Sequence, residues 1–242
     1  MLSLNDDFPT GFNETNSRKI GGFHYGVNRR SAVVADIYNG IVPRSVWTLF
    51  HRPKCAPESM VYLSAGVWAD IYISSDNDEG GLASKYNKIP KTMITWYDSA
   101  ERFAKVGKRM LTYHEWVQAA AGSPSGTSSG NQNAWTASSD SAPTGFAANA
   151  VSNVGCRDCV GDVWEWLSDI IASGIGTPDW QQPSYGADHG QFWINNPHDF
   201  RALLAGGSFY NGSLVGPRSA CVIYSPWENH ESFGTRGACA GI

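Results

Sequence analysis

The stretch Gly161-Asp162-Val163-Trp164-Glu165-Trp166-Leu167-Ser168-Asp169 is the one on which the fold turns. Its apolar centre, residues 163–167, is a short run bounded by turn-prone residues, as a buried strand requires. Residues 202–204 and 220–224 repeat the pattern downstream. Upstream, residues 45–50 are β-branched and aromatic. Residues 67–73 set Val67, Ala69, Ile71 and Ile73 against Trp68, Asp70 and Tyr72, the period-2 alternation of a half-buried strand. The acidic turn Asp76-Asn77-Asp78-Glu79-Gly80-Gly81 follows. Residues 1–40 mix polar, glycine and aromatic residues and read as an extended arm or a few short strands.

Two helices are legible between these strands. In Asp98-Ser99-Ala100-Glu101, Asp98 is expected to cap while Glu101 reaches back to its amide. Ala100, Phe103 and Ala104 then share a face, and Gly107 ends the helix. Thr112-Tyr113-His114-Glu115 repeats the capping logic, with Tyr113, Trp116, Val117 and Ala120 as the apolar face and Gly122 as the stop. Residues 122–150 are dominated by Ser, Gly, Asn, Thr and Ala and read as a long irregular loop, with Trp135 and Phe146 expected to anchor it to the core. Helix is thus confined to the first half of a strand-and-loop chain, an α+β pattern without internal repeat.

Composition narrows the function classes. Only 17% of the 242 residues are charged while 12% are aromatic, including 10 Trp, which excludes a disordered chain. No apolar run approaches the roughly 20 residues of a membrane span. The formal net charge of -4 argues against a protein that neutralises many phosphates, so no nucleic-acid partner is expected. Five cysteines, Cys55, Cys156, Cys159, Cys221 and Cys239, cannot all pair with one another. The N-terminal residues show neither a basic nor an apolar signal region. Localisation is therefore left open between the cytosol, a virion released by lysis, and the cell surface by another route.

Several catalytic and metal patterns fail on inspection. Cys156-Arg157-Asp158-Cys159 is a lone C-x-x-C beside glycines, without the second ligand pair of a zinc site, and reads as structural. His114-Glu115-Trp116-Val117-Gln118 has Gln118 where a zinc-protease helix needs its second histidine. Gly206-Gly207-Ser208 lacks the following glycine of a nucleophile elbow. Asp76, Asp78 and Glu79 break the calcium-loop pattern, with Gly80 at the fifth position and Asn87 at the twelfth. No cofactor is expected. Residues 209–235 are different. They interleave Phe, Tyr, Trp, Leu, Ile, His and Asn with small polar residues and show no helical or strand period. That is the composition of a paratope, although core aromatics of a loop-rich fold would also produce it.

Four segments resemble formylglycine-generating enzymes in order. Lys108-Arg109-Met110-Leu111-Thr112-Tyr113-His114-Glu115-Trp116 is similar to their "R-L-P-T-x-x-E-W", and residues 161–169 to their "G-N-V-W-E-W-x-x-D". Arg201-Ala202-Leu203-Leu204-Ala205-Gly206-Gly207-Ser208-Phe209 is similar to "R-V-x-R-G-G-S-W", and Phe233-Gly234-Thr235-Arg236-Gly237-Ala238 to the terminal "G-F-R". The resemblance implies a C-type-lectin-like fold in its formylglycine-generating-enzyme variant: two helices, short twisted antiparallel sheets and long irregular loops. It does not carry the activity over. The family's redox cysteine pair lies shortly after the Gly-Gly-Ser motif, and residues 210–218 contain no cysteine.

Residues 67–88, Ser152-Asn153-Val154-Gly155-Cys156 and residues 201–237 resemble the variable proteins of diversity-generating retroelements, which share that fold. In those proteins adenine-specific mutagenesis rewrites a C-terminal segment, so that AAC codons become NNC. Codons of that form can encode the residue types of Phe209, Tyr210, Asn211, Ser213, Leu214, Val222, Ile223, Tyr224, Ser225, Asn229, His230, Ser232, Phe233 and Thr235. Trp227, Glu228 and Glu231 need other codons. The resemblance implies a non-enzymatic binding protein, residues 1–242 forming one lectin-like domain, with residues 206–237 as a variable segment. All seventeen residues just named form its expected ligand-binding set, with hot-spot area on Tyr210, Tyr224, Trp227 and Phe233. Gly206, Gly207, Gly212, Gly216, Pro217, Arg218, Gly234, Arg236 and Gly237 are expected as framework. The expected partner is a protein or glycan on another cell or particle. The rivals are a formylglycine-generating-enzyme-like oxidase and a calcium-dependent lectin.

Overall fold

The computed structural model describes residues 17–20, 23–27, 46–48, 53–55, 59–128, 133–172, 179–181, 192–194 and 200–241. The rest of the expected N-terminal arm lies outside them. Strands β1 (Ser17–Ile20), β2 (Phe23–Val27) and β3 (Val46–Thr48) form an antiparallel sheet. Then come β4 (Met60–Ser64), β5 (Val67–Asp70), the hairpin β6 (Ser74–Asp76) and β7 (Leu82–Ser84), α1 (Trp96–Ala104), β8 (Arg109–Met110) and α2 (Tyr113–Ala120). The second half contains β9 (Trp164–Ala172), β10 (Asp179–Gln181), β11 (Phe192–Ile194), β12 (Phe200–Ala205), β13 (Ala220–Cys221), β14 (Phe233–Thr235) and β15 (Gly237–Ala240). This is the expected α+β architecture, with both α-helices upstream of the long loop.

Both helices start on a capping box, but the first box lies three residues earlier than expected. Thr95, not Asp98, is the N-cap of α1, and Asp98 fills the N3 position that returns the bond. The Thr95 hydroxyl accepts from the Asp98 amide, and the Asp98 carboxylate accepts from the Thr95 amide, so two helix-end donors are satisfied reciprocally. In α2, Thr112 and Glu115 do what the sequence predicts. Trp116, Ala119 and Ala120 of α2 are buried, with Tyr113 and Val117 packed against the same cluster.

The alternation across residues 67–73 does not become a half-buried strand. The strand ends at Asp70, and residues 68–73 are all buried, because β5 is covered on both faces. The long loop is also held differently from the expectation. Phe146 is 61% exposed and packs edge-on against the half-buried Trp135. Small residues sink the loop instead: Ala134, Thr136, Ala142, Thr144, Ala147 and Ala150 are buried, and the Asp162 carboxylate accepts from the Ala142 amide. Small side chains allow the close backbone approach that large rings would block.

The stretch 161–169 supplies the central strand. β9 lies between β12, paired antiparallel (Leu204↔Trp166, Ala205↔Glu165), and β14, paired parallel (Phe233↔Trp164, Thr235↔Trp166). The six-stranded sheet, in the order β10-β11-β13-β12-β9-β14, is therefore mixed; its β11–β13 pair is also parallel. A four-stranded sheet, β4-β5-β15-β8, packs beside it. β14 and β15 are separated only by Arg236, so the chain changes sheet at that residue. Arg236 and Glu165 are both wholly buried and meet in a bidentate pair at 2.8 and 2.9 Å. The other guanidinium donors go to the carbonyls of Asp70, Ile71 and Arg157, so every N–H has an acceptor. A buried charge persists only when paired and bonded in this way.

Candidate functional site

The segment 206–237 starts on a glycine pair. Gly206 and Gly207 adopt φ of +92° and +84°, and a Cβ on Gly207 would lie 2.5 Å from the Val215 side chain. The backbone thus turns sharply out of β12 with Val215 packed directly on it. Asn211 then closes the turn through its Oδ1, which accepts from the Ser208 amide at 2.7 Å and hydroxyl at 2.9 Å. Gly212 donates to Thr136 of the long loop, and Gly126 donates to Val215. The Oδ1 of Asn211, a member of the expected ligand-binding set, is committed to this turn.

From that base a pocket of about 290 Å³ opens, lined by Trp164, Tyr210, Asn211, Leu214, Cys221, Ile223 and Tyr224. Five of these belong to the predicted set. Trp164 and Cys221 do not: Trp164 was read as part of a buried strand, and Cys221 had no binding role. Both are buried, so the pocket has a framework floor and a rim of exposed or half-exposed side chains from the irregular segment. The lining contains no charged group. Burial pushes the Cys221 thiol up to about 12, and burial, with smaller contributions from Cys221, Tyr210 and Glu228, pushes the Tyr224 phenol to about 12. Both are neutral at physiological pH.

Of the rim, Tyr210 and Leu214 are exposed and Asn211, Ile223 and Tyr224 are half-buried; elsewhere in the predicted set, Ser213, Trp227, Asn229, His230 and Glu231 are exposed and Glu228 is half-buried. Trp227 is 62% exposed. His230 Nδ1 accepts from the Ser232 amide at 3.2 Å and lies 2.8 Å from the Ser232 hydroxyl, which also contacts the Tyr210 hydroxyl at 3.3 Å. With Nδ1 acting as acceptor, the ring proton of a neutral His230 is assigned to Nε2. Glu228 accepts from the Ser225 amide and lies 3.9 Å from Arg201.

Six members of the predicted set are instead buried: Phe209, Val222, Ser225, Ser232, Phe233 and Thr235. They face the framework for identifiable reasons. Phe233 and Thr235 lie in β14 against β9, and the Phe233 ring meets Trp166 at 5.3 Å and Tyr224 at 4.6 Å. The Thr235 hydroxyl donates to the Trp166 carbonyl. Phe209 lies beneath Tyr210 with ring centroids 5.1 Å apart. Phe233 therefore does not supply the exposed hot-spot area expected of it. Conversely, Met93 and Tyr97, 59% and 54% exposed, come from a segment that carried no binding signal in the sequence. That segment buttresses the display turn, with the Met93 amide donating to His230 and the Trp96 amide to Pro226.

The remaining candidates resolve simply. Cys156 and Cys159 are buried free thiols, and Cys159 is held protonated, first by its hydrogen bond with Cys156 and then by burial. The acidic turn joins β6 to β7, with Asp76 paired to Arg102 and Lys91. Among the described residues no group of three or more His, Cys, Asp or Glu side chains is placed to hold a metal ion. No helix there is long and apolar enough to cross a membrane.

Comparison with known proteins agrees with this geometry. The model of the sulfatase-modifying factor enzyme 1-like domain matches residues 38–223. The chain belongs to this family. A second model, the Mtd second domain, matches residues 1–48 and overlaps the first match at residues 38–48. The tail fiber receptor-binding protein of Bordetella phage BPP-1 is 29% identical over 255 residues, covering 96% of this chain. The chain spans 65% of that relative's length. Two solved structures, the Major Tropism Determinant M1 and P3c variants, superpose with TM-scores of 0.60 and 0.61 at 25% identity. Each covers 98% of this chain, which spans 67% of theirs. The C-type-lectin-like fold and the resemblance to retroelement variable proteins are borne out.

Proposed function

We propose that this protein is the receptor-recognition component of a phage-like particle, binding a protein or glycan on a host surface. Its specificity would be set by side chains exchanged along residues 206–237. The observation that carries this is the division of one pocket between a buried framework floor, Trp164 and Cys221, and a rim from the irregular segment. Side chains on such a rim change contact chemistry without changing the packing beneath. The ligand-contacting residues are then the exposed and half-buried ones: Tyr210, Asn211, Ser213, Leu214, Ile223, Tyr224, Trp227, Glu228, Asn229, His230 and Glu231. Tyr210, Tyr224 and Trp227 supply rigid aromatic area, as recognition hot spots do.

An enzymatic role finds no support at the same place. The one sulfur in the pocket is a protonated thiol without a cysteine partner in residues 210–218. Nucleophilic or redox chemistry uses the thiolate. The test is saturable binding of the purified chain to a panel of bacterial strains, scored by flow cytometry. Binding to a subset of strains should fall at least tenfold in a Tyr210→Ala/Tyr224→Ala variant that keeps its melting temperature. Binding indifferent to both tyrosines would overturn the placement of the site. Turnover of a cysteine-containing peptide would overturn the binding-only reading.

A further inference from the structure

Cys55 and Cys239 stand far apart in sequence, and neither belongs to the pocket. Residues 53–55 run along the free edge of β15 beyond β8. Pro53 forms an antiparallel bridge with Gly241, and the Lys54 amide donates to the Ala240 carbonyl at 3.0 Å. That register makes Lys54 and Ala240 a hydrogen-bonded pair and sets Cys55 opposite Cys239 in the next, non-hydrogen-bonded position. Directly opposed residues at such positions have Cα atoms roughly 4.5 Å apart, within the 4.4–6.8 Å range of disulfides. The Cys55 sulfur points toward the Gly107 carbonyl at the end of β8's neighbouring turn, at 3.5 Å. Cys239 packs with Met60 and Trp68, and Cys55 packs against that same small cluster. Both are free thiols here.

We propose that Cys55 and Cys239 form a disulfide when the protein meets an oxidising environment, clamping residues 53–55 onto the terminal strand. The remaining thiols offer no equivalent. Cys156 and Cys159 are sealed in the core, and Cys221 has no cysteine across from it in the β12–β13 ladder, where it faces Leu204. Cys55, half-buried, is the sulfur that a small-molecule disulfide can reach, while Cys239 lies beneath it.

The pair's electrostatics suit the closing step of this exchange, in which Cys239 is the nucleophile. The hydrogen bond from Cys55, helped by the Cys55 and Lys54 amides and by Lys108, pulls Cys239 down to about 6 against its burial. The same hydrogen bond, then burial, pushes Cys55 up, so the two sulfurs share one proton. Passing that proton to Cys239 leaves a thiolate on Cys55. This attacks oxidised glutathione, breaking its S–S bond and releasing one glutathione thiolate, which takes the proton from Cys239. The Cys239 thiolate then attacks the Cys55 sulfur and expels the second glutathione. Two protein sulfurs that shared one proton become one disulfide, and one small disulfide becomes one thiol and one thiolate, which takes its proton from water.

The clamp would sit where it matters for display. β15 follows β14 and the variable segment directly, and residue 55 lies just past the stretch matched by the Mtd second domain. Side-chain exchange along residues 206–237 would then be anchored at its exit by a covalent bond that no display residue provides.

The test uses the full chain, purified reduced, then equilibrated with oxidised glutathione, denatured and alkylated. Of five cysteines, three should be alkylated in the wild type, with Cys55 and Cys239 peptides joined in a non-reducing digest. Cys55→Ser should keep all its four thiols, and Cys156→Ser should still lose two. Oxidation should raise the melting temperature of the wild type and leave that of Cys55→Ser unchanged. Five alkylated cysteines, a Cys156–Cys159 bridge, or a disulfide-linked dimer would each overturn the proposal.

Discussion

Phe233 and Trp227 are six residues apart in the same irregular, aromatic segment, and the structure gives them opposite duties. Phe233 is 1% exposed, with its ring against Trp166, Tyr224 and His230 at 5.3, 4.6 and 5.3 Å. Truncating a buried phenylalanine to alanine removes its transfer free energy and leaves a cavity, together about 3–5 kcal/mol. The β14–β9 ladder and the rigid Trp166, whose Nε1 is bonded to the Ile94 carbonyl, limit collapse into that space, which places Phe233→Ala toward the upper end. For a chain of this size about 4 kcal/mol corresponds to a melting-temperature loss of roughly 8–16 °C. Trp227 is 62% exposed, and its truncation should change stability by no more than about 0.5 kcal/mol. Urea denaturation followed by tryptophan fluorescence and circular dichroism measures both, with m expected to stay constant. In the cell-binding assay the order should reverse in kind: Trp227→Ala stays folded but loses about 2 kcal/mol of binding, near thirtyfold. If Phe233→Ala proves no more destabilising than Trp227→Ala, the division of this segment into support and display is wrong.

Three further outcomes follow from the framework. Arg236→Met leaves Glu165 as an unpaired buried carboxylate and should cost about 3–5 kcal/mol, whereas the Arg236→Met/Glu165→Leu double variant should recover much of that; a double-mutant cycle by urea titration checks it. Burial raises Asp158 to about 6 in the folded chain against roughly 3.9 unfolded. The folded state therefore holds a proton that the unfolded state has released, so this group's stabilisation is present in full below the unfolded value and is lost as pH rises through 6. The loss is roughly 3 kcal/mol; Asp158→Asn, which can keep the bond from the Gly145 amide, should flatten the wild type's profile in that window by comparable urea midpoints. Gly207→Ala should cost about 2–4 kcal/mol, because a positive φ and a blocked Cβ coincide there. Gly212→Ala, at φ +60° with open space around it, should cost only about 1 kcal/mol; equal losses on thermal melting would contradict the close Val215 contact.

Local chemistry accounts for what was readable before folding. Thr112 and Glu115 announce α2, because a capping box involves neighbours three residues apart. The first helix starts earlier than the sequence reading places it because two overlapping cap pairs, Thr95-x-x-Asp98 and Asp98-x-x-Glu101, compete, and the docking of Trp96 onto the Leu167 carbonyl favours the earlier start. The alternation at residues 67–73 misled for a related reason. Period 2 reports one dry face only when the other is wet, and β5 is dry on both.

The sequence by itself determined the architecture, the location of an aromatic, weakly charged segment without period, and that segment's freedom from a redox cysteine pair. These rest on composition and on patterns closed within a few residues. Which aromatic rings are exposed and which are buried was decided only in three dimensions. The segment from Phe209 to Thr235 has no period, so exposure there depends on distant partners. Phe233 is covered because β14 pairs with β9, Trp164 floors a pocket because β9 turns that ring toward Tyr210 and Tyr224, and Met93 comes beside the segment because its amide donates to the His230 carbonyl. Burial is a property of pairs, and those pairs are made by chain segments that the sequence separates.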